Sequence, residues 1–306
     1  MEKRSFTAVW KYALTPSALA GALGLCMVTT GCTGVLSDNT SSGMVNGGGS
    51  SNGGSGNGAG AGATAGSGGT SVAVAPPGYK AIHRLNINEY NATVQDVLGT
   101  TLKPATAAWT VYESNNGFDN FADVQHTTGA DYKRMFEAAG TLAADAFARA
   151  DFKAKWVTCA TPDDACVSGI LGKLGLHVLR RPLTDGELAS YRGVYAAAKQ
   201  QNESHEGSLQ QALRAMLGSS EFLYRMEFDA TPTSADRHPL TPYELATRLS
   251  YLLWSSAPDD ALLAAAADGS LNQDATLKAQ VDRLLADTAR SNRFVENFYG
   301  QWLGAR

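Results

Sequence analysis

Apolar side chains recur along most of this chain at three- and four-residue steps, the spacing of a helix face turned toward a core. Tyr90, Val94, Val97 and Leu98 share one such face, and Leu188, Tyr191, Val194 and Tyr195 share another. Leu245, Leu249, Leu252 and Leu253 form a third, and Leu277, Val281, Leu284 and Leu285 a fourth that starts at an Asn272 cap. Phe294, Phe298 and Trp302 stripe the last segment. The runs 131–149 and 165–177 are helical by the same spacing. "APDDALLAAAADGS" is a further short helix with aspartates at its positive end and Gly269 as its stop. Strand-like alternation is nearly absent, "SVAVA" at 71–75 being short. The pattern predicts an all-α fold, a bundle-like array of about nine or ten helices packed at steep angles.

Three phrases open these helices in the same way: "RLNINEYNATVQDVLG" at 84–99, "PLTDGELASYRGVY" at 182–195 and "PLTPYELATRLSYLLW" at 239–254. Each places a cap residue (Asn86, Thr184, Thr241) three positions before a glutamate (Glu89, Glu187, Glu244). That is the spacing of a reciprocal capping box, which contributes about 1 kcal/mol through the cap side chain. A leucine precedes each cap, and an apolar residue lies four positions after it: Leu85 with Tyr90, Leu183 with Leu188, Leu240 with Leu245. These pairs are hydrophobic staples. The repeat is therefore punctuation at helix starts, and the three glutamates are structural rather than acid–base groups.

The first eighty residues have a different composition. Thirteen of the 32 glycines fall between Gly43 and Gly69, in a stretch without charge and nearly without large apolar side chains. Such a segment buries too little surface to offset chain entropy. Residues 32–78 are read as a flexible Gly/Ser/Asn-rich tether with a root-mean-square reach of about 35–40 Å. Ahead of it, residues 1–31 combine Lys3, Arg4 and Lys11 with an apolar run and small residues before a cysteine, the pattern of an export signal. The folded region then divides into an N-terminal helical domain at 79–150, a central one at 151–230 and a C-terminal one at 238–306.

The net charge is −4, and the residues after the basic leader are two units more negative still. No basic run exceeds Arg180–Arg181, so nucleic acid is excluded as a partner. Cys159 and Cys166 form an even pair around six residues that include Pro162, which suits a disulfide in an oxidising compartment.

Two sets of motifs resemble known families. "VTTGC" at 28–32 resembles the lipobox of bacterial lipoproteins, with Thr29 where that family has leucine. The resemblance implies that Cys32 carries lipid and anchors the protein to the envelope, at the outer membrane or facing the periplasm. "HRLNINEYNATVQDVLG", "NNGFDNFAD", "LGKLGLHVLRRPLTDGEL", "SSEFLYRMEF" and "LTPYELATRLSYLLWSSAPDDALLAAAADGSL" occur in that order from His83 onward. Together they resemble extracytoplasmic domains of unknown function found in planctomycetes and myxobacteria. The resemblance implies continuation into further domains, which makes 238–306 an incomplete C-terminal domain, and the company of c-type haem modules. The sequence holds no Cys-x-x-Cys-His, so haem c is expected on a partner or a downstream module.

Candidate chemistry is thin. Asn116, Asp119, Asn120, Asp123 and His126 make the loop richest in oxygen ligands and the first place to seek a ligand or cation. Calcium is one occupant, although the EF-hand pattern is unmet and Asx turns account for the same residues. The five histidines (His83, His126, His177, His205, His238) show no i, i+4 pair, and no Gly-x-Ser-x-Gly occurs, so no metal site is assigned. Arg180–Arg181 is expected to pair with surface carboxylates, and Trp254, Trp302, Tyr224 and Phe222 to anchor the core. The sequence thus points to a tethered interaction or accessory module. The rival reading is an extracytoplasmic hydrolase or oxidoreductase with its site near Asp119, Asn120 and His126.

Overall fold

A computed structural model describes residues 82–109, 118–120, 122, 125, 127–159, 161–227 and 239–305, all within one compact unit. The leader, Cys32, the tether, and Asn116, Asp123 and His126 of the oxygen-rich loop lie outside the described residues. The helices are α1 (Ile87–Leu98), α2 (Pro104–Ala108), α3 (Gly129–Ala148), α4 (Ala150–Trp156), α5 (Asp164–Val178), α6 (Asp185–Gln200), α7 (His205–Leu217) and α8 (Ser220–Leu223). Further along the chain come α9 (Pro242–Trp254), α10 (Asp260–Ala267), α11 (Asp274–Ala286) and α12 (Thr288–Phe294). A π-helical turn, Val295–Tyr299, then leads into α13 (Gly300–Trp302). Two-residue strands β1 (His83–Arg84) and β2 (Tyr224–Arg225) pair antiparallel, with His83 opposite Arg225. The fold is all-α, as the spacing of apolar residues required.

All three sequence phrases are capping boxes. Asn86, Thr184 and Thr241 each accept from the third helical amide, and Glu89, Glu187 and Glu244 accept the cap amide in return at 3.0, 2.8 and 2.8 Å. A fourth box, Thr128 with Asp131, opens α3, with aspartate in place of glutamate at the third helical position. The start of the α11 segment is corrected. Asn272 closes a short 3-10 turn at Ser270–Asn272, and Gln273 precedes α11. Gly269, at φ +75°, turns the chain ahead of it, and the helix begins one residue later than an Asn272 cap would place it.

Two apolar clusters organise the molecule. The first joins α1 to α8: Tyr90 is fully buried, with its ring 4.4 Å from Trp109 and 5.6 Å from Phe222. It therefore spans both segments that the sequence had divided near residue 150. The second is built by α9, α10 and α11 around Trp254, whose indole N–H donates to the Leu284 carbonyl at 2.8 Å. α9 serves both, sending Tyr251 into the first cluster and Leu253 and Trp254 into the second. The disulfide Cys159–Cys166 closes the turn into α5, with the two Cα atoms 5.9 Å apart. Trp302 is not a core anchor: it is 62% exposed, on α13. Leu252 and Leu285 likewise leave the faces assigned to them and are exposed. Among the described residues no helix is long and apolar enough to cross a membrane.

Candidate functional site

One face of α9 forms a wall of a cleft built from several cavities. Thr241, Glu244, Thr247, Arg248, Tyr251, Leu252 and Ser255 follow one another at helical spacing and line three cavities in turn, of about 180, 70 and 280 Å³. From Thr241 to Ser255 this face runs about 21 Å. The opposite wall is supplied by the first cluster: Arg180 and Arg181 after α5, Glu221 on α8, Arg225 to Glu227 at β2, and Asn86 and Glu89 on α1. Asn297, Phe298 and Gln301 close the far end. Arg225 lines all three cavities, so they meet at its side chain.

The floor is a buried polar network. Arg180 takes φ +63°, a left-handed backbone that aims its side chain beneath β2. Its guanidinium donates to the carbonyls of Glu221 at 2.6 Å, Tyr224 at 2.9 Å and Phe222 at 3.1 Å, and to the Tyr251 hydroxyl at 3.3 Å. Thr93 donates to the Glu89 carbonyl at 2.6 Å, which leaves its oxygen to accept from the Tyr251 hydroxyl 2.9 Å away. The surface ion pair expected of both arginines is thus right for one of them only. Arg181 meets Glu187 through two bonds of 2.7 and 2.9 Å, whereas Arg180 is buried against neutral acceptors. The chain bends at these neighbours, and only the folded backbone decides which one turns inward.

Around the cleft most carboxylates have assigned tasks. Arg181 beside Glu187, reinforced by the Thr184 amide, holds that carboxyl at about 2, far below its usual range. Arg248 grips Glu227 through two bonds of 2.6 Å. Glu89 is 6% exposed and lies 3.3 Å from the Arg225 guanidinium.

The oxygen-rich loop reaches this cleft at one edge. Asn120 lines the 280 Å³ cavity, while Asp119 accepts from Asn86 Nδ2 at 3.0 Å and donates its amide to Gln301 at 2.8 Å. Asp119 thereby ties the start of α1 to α13. Among the described residues no three His, Cys, Asp or Glu side chains assemble as metal donors. His177, on α5, bonds Asp260 at 2.5 Å, and His205 bonds Tyr195 at 2.8 Å, both away from the cleft.

Comparison with family models matches three stretches in order. Residues 83–148 match PSD3, a protein of unknown function (DUF1587), residues 166–227 match PSD5 (DUF1595), and residues 240–306 match PSD4 (DUF1592), both of the same description. The chain carries these three domains in series. Their arrangement is an architecture known in planctomycete and myxobacterial proteins. No curated protein and no solved structure gives a significant match. Each domain contributes to the cleft: PSD3 supplies Asn86, Glu89 and Asn120, PSD5 supplies Arg180, Arg181 and Arg225, and PSD4 supplies α9 with Arg248. Sequence reasoning had passed over Arg225 and Arg248. Both stood inside motifs that carried the resemblance, "SSEFLYRMEF" and "LTPYELATRLSYLLW", which was the signal available.

Proposed function

We propose that this protein is an exported lipoprotein, held to the envelope by lipid on Cys32, whose three-domain helical body is a binding module that works through the α9 cleft. The observation that carries the reading is the convergence of three cavities on Arg225, with one wall from each of three domains. Hollows at the junction of domains are the usual seats of ligands. The committed carboxylates add support. A Glu187 held ionised at about 2 has no proton to give at neutral pH, and both oxygens of Glu227 are engaged by Arg248. The partner implied by the resemblance of the sequence is a c-type haem protein of the same envelope.

Two measurements test this. Cys32→Ser is expected to shift the protein from the membrane to the soluble fraction of the envelope; retention in membranes overturns the anchor. The purified full chain is expected to co-elute with a c-type cytochrome, followed by haem absorbance, and Arg248→Glu is expected to release it. One observation keeps an enzymatic reading in view: Asn120 lines the same cleft, beside Asp119. Turnover of a hydrolysable or redox-active compound that Asp119→Ala abolishes in a folded protein would replace the binding module with that enzyme.

A further inference from the structure

We propose that the 280 Å³ cavity at the far end of the α9 cleft binds a neutral, polyhydroxylated ligand, a mono- or disaccharide, an inference that rests on the binding-module reading above. Two unusual backbone features meet in the wall of this cavity. Ser255, where α9 ends, holds φ +51°, a left-handed conformation that a residue with a Cβ adopts at a cost. Val295–Tyr299 is a π-helical turn, an irregularity frequent at functional sites. The two are bonded to each other: Asn297 Nδ2 donates to Ser255 Oγ at 2.9 Å, and Asn88 Nδ2 donates to Asn297 Oδ1 at 3.1 Å. Ser255, Asn297 and Phe298 all line the cavity. Strained backbone concentrates at ligand clamps and active sites, where the surrounding fold holds it in place.

The charges in that wall are already matched. Glu89 faces Arg225 at 3.3 Å, and Arg248 meets Glu227 through two bonds of 2.6 Å. An ion entering the cavity would give up its hydration without gaining an uncompensated partner. The wall is nonetheless polar. Asn120 lines it with a side-chain amide that bonds to nothing among the described residues. Ser255 Oγ accepts from Asn297 and, among the described residues, has no acceptor for its own proton. An apolar occupant would leave the Asn120 amide dry, at the cost of its lost hydration.

Hydroxyl groups fit such a wall. A hydroxyl both donates and accepts, as an amide does, so the two pair in either direction. Phe118 and Phe298, with ring centroids 6.5 Å apart, add aromatic surface to the same cavity. The negative face of an aromatic ring attracts the weakly positive C–H bonds of a saturated ring. A sugar carries both features, hydroxyls at its rim and C–H bonds on its face. Size agrees, since 280 Å³ lies near the lower end of the about 300–1,000 Å³ found for small-molecule pockets.

The test uses the full chain. Glucose, galactose, mannose, xylose, cellobiose and maltose serve as neutral probes, glucuronate and glucosamine as charged counterparts, and cyclohexanol as a ring with a single hydroxyl. Binding is followed by calorimetry and by the side-chain amide resonances in a ¹⁵N-correlated spectrum. At least one neutral sugar is expected to bind and to displace the Asn120 amide pair, which is assigned by its loss in Asn120→Ala. That variant should weaken the binding about tenfold, the worth of one or two hydrogen bonds. It should fold unchanged, because the Asn120 side chain holds nothing in place among the described residues. Leu252→Trp, at a position 52% exposed on the α9 wall of the cavity, should exclude the sugar by bulk. If Leu252→Trp fails to fold by circular dichroism, Asn120→Ala still decides. The inference is overturned if no neutral sugar binds, if glucuronate, glucosamine or cyclohexanol binds more tightly than every neutral sugar, or if binding is unchanged in Asn120→Ala. Co-elution with a c-type cytochrome in a protein that binds none of the sugars would sink the sugar site and leave the binding module standing. Cleavage of a bound sugar would keep the site and replace the module with a hydrolase.

Discussion

Replacing Glu187 with glutamine separates the two tasks of that side chain. Glutamine at the third helical position can still accept the Thr184 amide, so the cap geometry survives. What disappears is the charge that Arg181 clasps at 2.7 and 2.9 Å. A carboxyl lowered from 4.5 to about 2 corresponds to about 3.4 kcal/mol at 1.36 kcal/mol per pH unit. The side chain is 24% exposed, and solvent screening reduces this to about 1–2 kcal/mol at neutral pH. The sign is fixed by the direction of the shift. A folded-state value below the unfolded one stabilises above about pH 4.5, and that contribution fades as pH falls toward 2. Urea unfolding followed by far-ultraviolet circular dichroism, at intervals from pH 3 to 7, measures the gap between the two proteins. Other titrating groups cancel in the difference, provided they lie far from the site. The gap should be about 1–2 kcal/mol at pH 6–7 and narrow steadily below pH 4.5. A gap that stays constant with pH, or widens in acid, would refute the assignment of the stabilisation to an ionised Glu187.

Two further outcomes follow from the packing. Gly175→Ala should lower the melting temperature although alanine favours a helix, because the new methyl would sit 2.5 Å from Leu183 Cγ. Overpacking of about 1–3 kcal/mol exceeds a propensity gain of at most about 1 kcal/mol; adding Leu183→Ala should recover part of the loss, and no recovery in the double variant would count against the clash. Cys159→Ser should cost about 2.5 kcal/mol in the chain-entropy account of an eight-residue closed loop, measured by denaturant unfolding, and reductant should reproduce the loss in the unaltered protein alone.

The helix starts were legible because capping is local chemistry. An oxygen at the cap and a carboxylate three residues later meet whenever the backbone turns helical, whatever packs around them. Asn86, Thr184 and Thr241 therefore needed no tertiary information, and neither did the Cys159–Cys166 pair across its short loop. The aromatic assignments divide on the same ground. Trp254 and Phe222 lie on faces that meet a partner helix and are buried, whereas Trp302 has the same helical spacing and stays exposed. Periodicity defines a face but does not say what covers it.

The cleft belongs to the other category. Its residues come from positions as far apart as Asn86 and Gln301, and no spacing rule relates them. Arg180 and Arg181 are adjacent in sequence, and only the left-handed turn at Arg180 sends one to the interior and the other to Glu187. Sequence alone determined the all-α class, the helix boundaries at the caps and the disulfide loop, all set by contacts within a few residues. The tertiary structure decided which partner each cation takes, backbone carbonyls for Arg180, Glu187 for Arg181 and Glu89 for Arg225, because burial and the choice of partner arise only when distant helices close on one another.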